Sequence, residues 1–366
     1  MLAGVRLPRR MFITADAVGG VWQYTLDLAS GLAARGIETV LAVLGPEPGP
    51  EQRQAASVIT GLDLHLTRLP LDWTAEGPGA LANASECLAG LAGRLGADAV
   101  HLHSPALVGQ ATWPAPVIAV AHSCVATWWR AVRSGPLPAD FAWRATAISE
   151  GLYSADAVIA PSQAHAQSLG AAYGFGAAHV VHNGRMPLCH HRQSNRAVLA
   201  AGRLWDDGKN IALLDLAARD LNGPVIGAGP LHGPNGAITS LKNIQALGPL
   251  NASEMPAAYA RACIFASPAL YEPFGLAVLE AAQAGLALVL SDIPSFRELW
   301  HGAAILIDPG DAAAWRTQLQ ILLDDADLCR VMGHRAKQRA QRYTVAAMVK
   351  QTLAVHRSAR VSMAAD

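Results

Sequence analysis

Two glutamates eight positions apart, Glu272 and Glu280, enclose the run Pro-Phe-Gly-Leu-Ala-Val-Leu. On a helix, that spacing puts the carboxylates about 12 Å apart along the axis. This is too far for an acid/base pair acting on one bond, and it suits the two ends of an extended ligand. Pro273 fits the first helical position, which would make Glu272 the cap. The amides of Phe274, Gly275 and Leu276 would then face outward at the positive end of the dipole, where hydroxyls or phosphate oxygens can be held. An ordinary amphipathic helix with two exposed glutamates has the same spacing. A second group is Ala201-Gly202-Arg203-Leu204-Trp205-Asp206-Asp207-Gly208-Lys209-Asn210. Two cations at a strand-to-helix junction can neutralise a pyrophosphate, Arg203 by gripping two oxygens and Lys209 as a point charge; a solvated basic loop is the plain alternative. Gly19 and Gly20, after a strand-like run ending at Asp16, would let backbone amides approach an anion or a sugar closely, or simply make a tight turn. His122 ends another strand-like run. His101 and His103 fall on one strand face, with no third ligand at metal spacing, and read as structural, although His103 could reach a cleft. Trp128, Trp129 and Arg130 form an aromatic-basic run in a chain only 6% aromatic; they could stack on a sugar or aglycone and meet an acidic acceptor, or be ordinary helix packing.

The elements that must hold these residues follow from patterning. Short β-like runs alternate with helix-length amphipathic segments, the mark of parallel sheets covered by helices and of an α/β class. Strands are expected over residues 11–16, 38–44, 62–69, 99–103, 116–121, 157–160 and 179–182, with a helix over 21–34 closed by Gly36. A polar stretch with a proline, residues 185–196, reads as a linker. Strands resume over 197–201, 225–226, 243–247, 263–267, 287–290 and 304–307, and residues 311–357 are almost purely helical in pattern. A length of 366 residues exceeds what one core organises and favours two domains. The expected division is residues 1–184 with 344–366 crossing back, and residues 197–343. The charges balance at 28 basic and 28 acidic residues, so no overall field draws the chain to nucleic acid or to an anionic membrane. Five scattered cysteines without a C-x-x-C pair argue against disulfides and structural zinc and point to a cytoplasmic protein. No apolar leader or 18-residue apolar run is present, and peripheral membrane contact stays open. A G-x-G-x-x-G fingerprint is missing, which disfavours a nicotinamide enzyme.

The segment 272–280 resembles the E-x7-E motif of retaining glycosyltransferases of the GT-B fold, family 4, also called glycosyl transferases group 1. The resemblance spans nearly the whole chain. It implies two Rossmann-like domains facing across a cleft, an amino-terminal one for the acceptor and a carboxy-terminal one for a nucleotide-sugar, with the last helix crossing back. It implies that Glu272 binds the donor sugar's hydroxyls, that Glu280 binds the ribose, and that Arg203 and Lys209 stabilise the departing diphosphate. Gly19 and Gly20 resemble the family's Gly-Gly loop, which also reaches the donor phosphates, and His122 resembles its cleft histidine. Gly202, Phe274, Gly275 and Leu276 would complete the donor site. Trp22 stands where many relatives carry a small residue, which implies a reshaped acceptor pocket, with Trp128, Trp129 and Arg130 as further acceptor candidates. Asn183-Gly184 resembles the hinge Asn-Gly, with His182 in place of the usual proline. The implied reaction is hexose transfer with retention of configuration, without an essential metal or bound cofactor, a UDP-sugar being the default donor. The acceptor, whether glycan, lipid or small metabolite, stays open. The alternatives are a nucleotide-sugar epimerase of the same fold and a non-catalytic sugar-nucleotide binding protein; a pyridoxal-phosphate phosphorylase fits poorly with so few lysines.

Overall fold

The computed structural model describes residues 7–187, 196–233 and 236–363. Residues 188–195 of the expected linker, including Cys189, lie outside the described residues, as do 1–6 and 364–366. The chain divides into two compact units, one of residues 1–130, 134–184 and 345–366 and one of residues 131–133 and 185–344.

In the first unit the order is β1 (Arg10–Asp16), α1 (Gly20–Ala33), β2 (Glu38–Leu44), α2 (Pro50–Ser57), β3 (Leu62–Leu66), α3 (Pro78–Arg94), β4 (Ala99–Leu102) and β5 (Val117–Val120). Then follow α4 (Val125–Val132), α5 (Ala139–Ser154), β6 (Ala157–Ala160), α6 (Gln163–Tyr173) and β7 (His179–Val180). The second unit runs β8 (Val198–Ala201), α7 (Ile211–Ala218), β9 (Val225–Ala228), β10 (Gln245–Gly248), α8 (Met255–Ala260), β11 (Ile264–Ser267) and α9 (Leu276–Gln283). It continues with β12 (Ala287–Ser291), α10 (Pro294–Trp300), β13 (Ile305–Ile307), α11 (Ala312–Asp324) and α12 (Ala326–Ala340). The last helix, α13 (Val345–Met363), belongs to the first unit.

Both sheets are parallel throughout, in the orders β3-β2-β1-β4-β5-β6-β7 and β10-β9-β8-β11-β12-β13. Each order reverses once, between β1 and β4 and between β8 and β11, and the crevice outside the strand carboxyl ends at such a reversal is where open α/β sheets bind ligands. The strands are short and apolar because helices cover both faces. Neighbouring residues of one strand therefore enter opposite cores: Leu199, Phe265 and Leu288 lie in one cluster with Trp300, and Val198, Ile264 and Val289 in the other with Trp315. Both tryptophans are fully buried. The third strand ends at Leu66, short of the expected 62–69, and Arg68 takes a left-handed φ of 58°, which breaks the extended path.

The last helix lies against α1, where Gly31 makes room: a Cβ there would come within 2.5 Å of Val349 Cγ2. Arg360 Nη2 donates to the carbonyl of Asp98 at 2.5 Å and lies 3.5 Å from its carboxylate. Among the described residues no helix is long and apolar enough to cross a membrane.

Candidate functional site

The two motifs with cations and carboxylates follow β8 and β11, the strands on either side of the second unit's reversal point. After β8 the chain passes through Gly202, at φ 142°, whose N–H donates to the carbonyl of Ala228, and then turns tightly over Asp207–Lys209. Asp206, 7% exposed, builds this turn. Its Oδ1 accepts from Gly208 N at 2.9 Å and its Oδ2 from Arg203 Nη2 at 2.9 Å. Arg203 is about half exposed, with its guanidinium carbon 5.7 Å from the Trp205 ring centroid. Asn210, left-handed at φ 53°, donates through Nδ2 to the carbonyls of Pro268 and Pro309. The carbonyl of Gly208 accepts from Leu270 N and Tyr271 N. These bonds tie the Lys209 turn to the loop after β11.

Across that tie, Lys209 Nζ donates to Glu272 Oε2 at 2.5 Å, with the side chains 23% and 15% exposed. Ser295 Oγ donates to the Glu272 carbonyl and fixes the backbone there. The helix start differs from the sequence expectation. Pro273 is not the first helical residue and Glu272 is not the cap: α9 begins at Leu276, and Gly275 at φ 88° and ψ 70° precedes it as the cap residue. The first-turn amides are therefore those of Leu276, Ala277 and Val278, which have no carbonyl one turn back within the helix. Phe274 is 3% exposed and its ring meets Tyr343 edge-on at 5.6 Å, so its side chain belongs to the core.

Glu280 sits one turn from the end of α9 and both its oxygens are engaged. Arg185 Nε donates to Oε1 at 2.6 Å and Tyr259 OH to Oε2 at 2.8 Å. Arg185, the first residue of the expected linker, is 6% exposed and held by its backbone, its N–H donating to the Tyr343 carbonyl and its C=O accepting from Gln283 Nε2. Burial and the Glu280 charge push the Tyr259 hydroxyl well above the usual phenol range, so it stays protonated and able to donate. Sequence reasoning missed Arg185, Tyr259 and the bonding role of Asp206. Only Asp206 carried a signal, its place inside the quoted motif.

In the first unit, the loop after β1 is shaped by Asp16, whose Oδ1 accepts from Val18 N at 2.8 Å, and Gly19 caps α1, which Gly20 opens. Trp22, expected at the acceptor pocket, is 4% exposed. His122 follows β5 with its ring edge-on to Tyr24 at 4.7 Å and to His103 at 4.9 Å. Burial lowers its pKa to about 3, assisted by neighbouring histidines, so it is a neutral imidazole. His101 and His103 lie 5.2 Å apart, and His101 Nδ1 is 3.1 Å from His356 Nε2. Trp128 and Trp129 are half-buried; Trp129 packs on Phe141 at 6.1 Å and donates to the carbonyl of Gly135, while Arg130 is exposed. No group of three or more His, Cys, Asp or Glu among the described residues is placed to hold a metal ion.

Residues 18–185 match the family model described as Glycosyltransferase Family 4, and residues 238–339 the model described as Glycosyl transferases group 1. The chain is 26% identical over 421 aligned positions to a D-inositol 3-phosphate glycosyltransferase of Kineococcus radiotolerans, covering 96% of this chain and 93% of that one. It is 38% identical over 84 residues to O-antigen chain mannosyltransferase B of Escherichia coli, which covers 23% of this chain and only 22% of that relative. Among solved structures it resembles Anabaena HepE in complex with UDP and glucose, with a TM-score of 0.73 at 18% identity over 96% of this chain and all of that one. That likeness identifies the GT-B fold.

Proposed function

The chain belongs to the family 4, or group 1, glycosyltransferases, and from that premise we propose that it moves a hexose from a nucleoside diphosphate sugar to an acceptor hydroxyl with retention of configuration. The observation that carries this reading is the pairing of two cation–carboxylate contacts at the two glutamates of the 272–280 segment that follows β11, Lys209 with Glu272 and Arg185 with Glu280. Each carboxylate is held by a cation at one side, which leaves lone pairs for ligand hydroxyls. Glu272 takes the sugar hydroxyls, Glu280 the ribose, and Lys209, Arg203 and the first-turn amides of α9 the diphosphate.

In the reaction the bond from the anomeric carbon to the diphosphate oxygen breaks, and the acceptor oxygen bonds to the same face. The acceptor proton passes to the departing diphosphate. Negative charge grows on the leaving oxygens, so fixed cations and amide dipoles aimed at them lower the barrier most. His122, being neutral, orients the sugar by hydrogen bonding rather than by charge. Uridine is the proposed base, supported by the UDP-bound HepE structure. The acceptor is proposed to meet Trp128, Trp129 and Arg130. Lys209 and Arg203 supply the cationic charge, so transfer is expected to persist in EDTA.

Thermal shift against UDP, GDP, ADP and their sugar conjugates tests the reading, because a ligand that binds the native state raises the melting temperature. One nucleotide should stabilise the protein selectively, and Lys209→Ala and Glu280→Ala should each reduce the shift at a fixed nucleotide concentration. If no nucleotide shifts the midpoint, the donor-site assignment falls. Consumption of the donor without acceptor, giving an altered donor or free sugar, would instead indicate the epimerase.

A further inference from the structure

Glu280 and its two partners, Arg185 and Tyr259, form a largely buried polar group. Arg185 and Glu280 are 6% and 13% exposed, and an ion pair so covered loses most of its hydration, so its net contribution to stability is small or even unfavourable. Holding a carboxylate in one orientation is a better account of it. The Arg185 guanidinium hangs from a backbone fixed on both sides, by its N–H to Tyr343 and its carbonyl to Gln283. It reaches Oε1 from one direction, while the Tyr259 hydroxyl, on a different helix, reaches Oε2. With one donor on each oxygen, the carboxylate can neither rotate nor swing, and each oxygen keeps a lone-pair direction unspent. A vicinal diol needs that arrangement, two neighbouring acceptors at fixed orientation.

We propose that Arg185 and Tyr259 are positioning residues that lock the Glu280 carboxylate for recognition of a ribose 2′,3′-diol, making the site selective for ribonucleotides over 2′-deoxyribonucleotides. The inference rests on the donor-site reading of Glu280 given above. A hydrogen bond to a charged acceptor carries enough free energy that loss of one hydroxyl should weaken binding roughly tenfold to a hundredfold, provided the acceptor is held in place. Once released, the carboxylate can turn to water or another donor, and the deoxy penalty shrinks.

The test is calorimetric titration of the full chain with UDP and 2′-deoxy-UDP, and with the GDP and ADP pairs, for wild type, Arg185→Met, Arg185→Lys, Tyr259→Phe and Lys209→Ala. Wild type should favour the ribo form by roughly tenfold or more. Arg185→Met should bring the ratio towards one, Arg185→Lys should recover part of it, and Tyr259→Phe should lower it severalfold. Lys209→Ala should weaken both forms equally and leave the ratio intact. Melting curves accompany each variant; if Arg185→Met does not fold, the lysine and phenylalanine variants carry the test, since each keeps the charge balance. A ratio unchanged in folded Arg185 and Tyr259 variants, or tighter ribonucleotide binding in them, overturns the proposal while leaving the donor site standing. A wild-type ratio near one overturns it as well. Failure of wild type to bind any of the nucleotides overturns the donor-site reading, and this inference with it.

Discussion

Asp206 organises more of the second unit's chemistry than any glutamate does, because the two cations assigned to the diphosphate both depend on it. One oxygen holds the amide of Gly208, next to Lys209, and the other holds the guanidinium of Arg203. Arg203 is about half exposed, so the ion pair itself adds little to stability; its value lies in where it keeps the guanidinium. Asp206→Asn retains an oxygen for Gly208 and loses the charge that holds Arg203. It should therefore melt within about 1 kcal/mol of wild type while turning over roughly tenfold more slowly. Asp206→Ala loses both contacts and should also cost about 1–3 kcal/mol in stability. Denaturant melts run beside steady-state rates separate the two effects, and wild-type turnover in Asp206→Asn would remove this residue from the machinery. Lys209, Arg203 and Glu272 were legible because their types and spacing are local features next to strand ends. Arg185 and Tyr259 were not, because their shared partner Glu280 lies 95 and 21 positions away and no periodicity encodes such a meeting.

At the scale of elements, the strands could be read from the sequence because parallel sheets covered on both faces demand unbroken apolar runs, such as 198–201 and 287–290. The start of α9 could not, although Pro273 carries an accepted helix-start signal. Gly275 overrides it by adopting φ 88°, which delays the helix to Leu276. The same conformation brings the backbone against the site: a Cβ at Gly275 would lie 3.1 Å from Val278 Cγ2, 3.3 Å from Glu272 Cγ and 3.4 Å from Phe296 Cε1. Gly285, after the other end of the helix, shares the left-handed conformation at φ 80° but not the crowding, its nearest neighbour being Lys337 Cδ at 3.9 Å. Gly275→Ala and Gly285→Ala should thus each lose about 1–3 kcal/mol from the unfavourable φ. Only Gly275→Ala should also displace Glu272 and raise the apparent donor KM, by roughly tenfold for one charged hydrogen bond weakened. Equal donor KM values in the two variants would mean that Gly275 serves the fold alone.

For the molecule as a whole, the first unit is closed by a helix from the far end of the chain, and the closure is lined with histidines. His356 of α13 meets His101 of β4 at 3.1 Å, and His103, His122 and His165 lie in the same unit. Burial lowers the pKa of His356 to about 3 and of His165 to about 4, and holds His101 and His103 well below the usual imidazole value. The sign of the consequence follows from linkage. A histidine depressed in the folded state binds its proton only when unfolded, so its contribution is complete above about pH 6.5 and is lost as pH falls below that value. For His356 and His165, each 2% exposed, the loss by pH 5 is about 2 kcal/mol apiece, a large part of a typical total of about 5–15 kcal/mol. The second unit's His232, His301 and His334 show no comparable burial. Hydrogen exchange followed by mass spectrometry across pH 7 to 4 should therefore show residues 7–130, 134–184 and 345–363 losing protection at a higher pH than residues 196–343. His356→Gln takes one proton out of the linkage and should reduce the pH slope of stability by roughly 1.4 kcal/mol per unit below pH 6. Simultaneous loss of protection in both units, or a slope unaltered by His356→Gln, would show that acid sensitivity arises from the carboxylates instead.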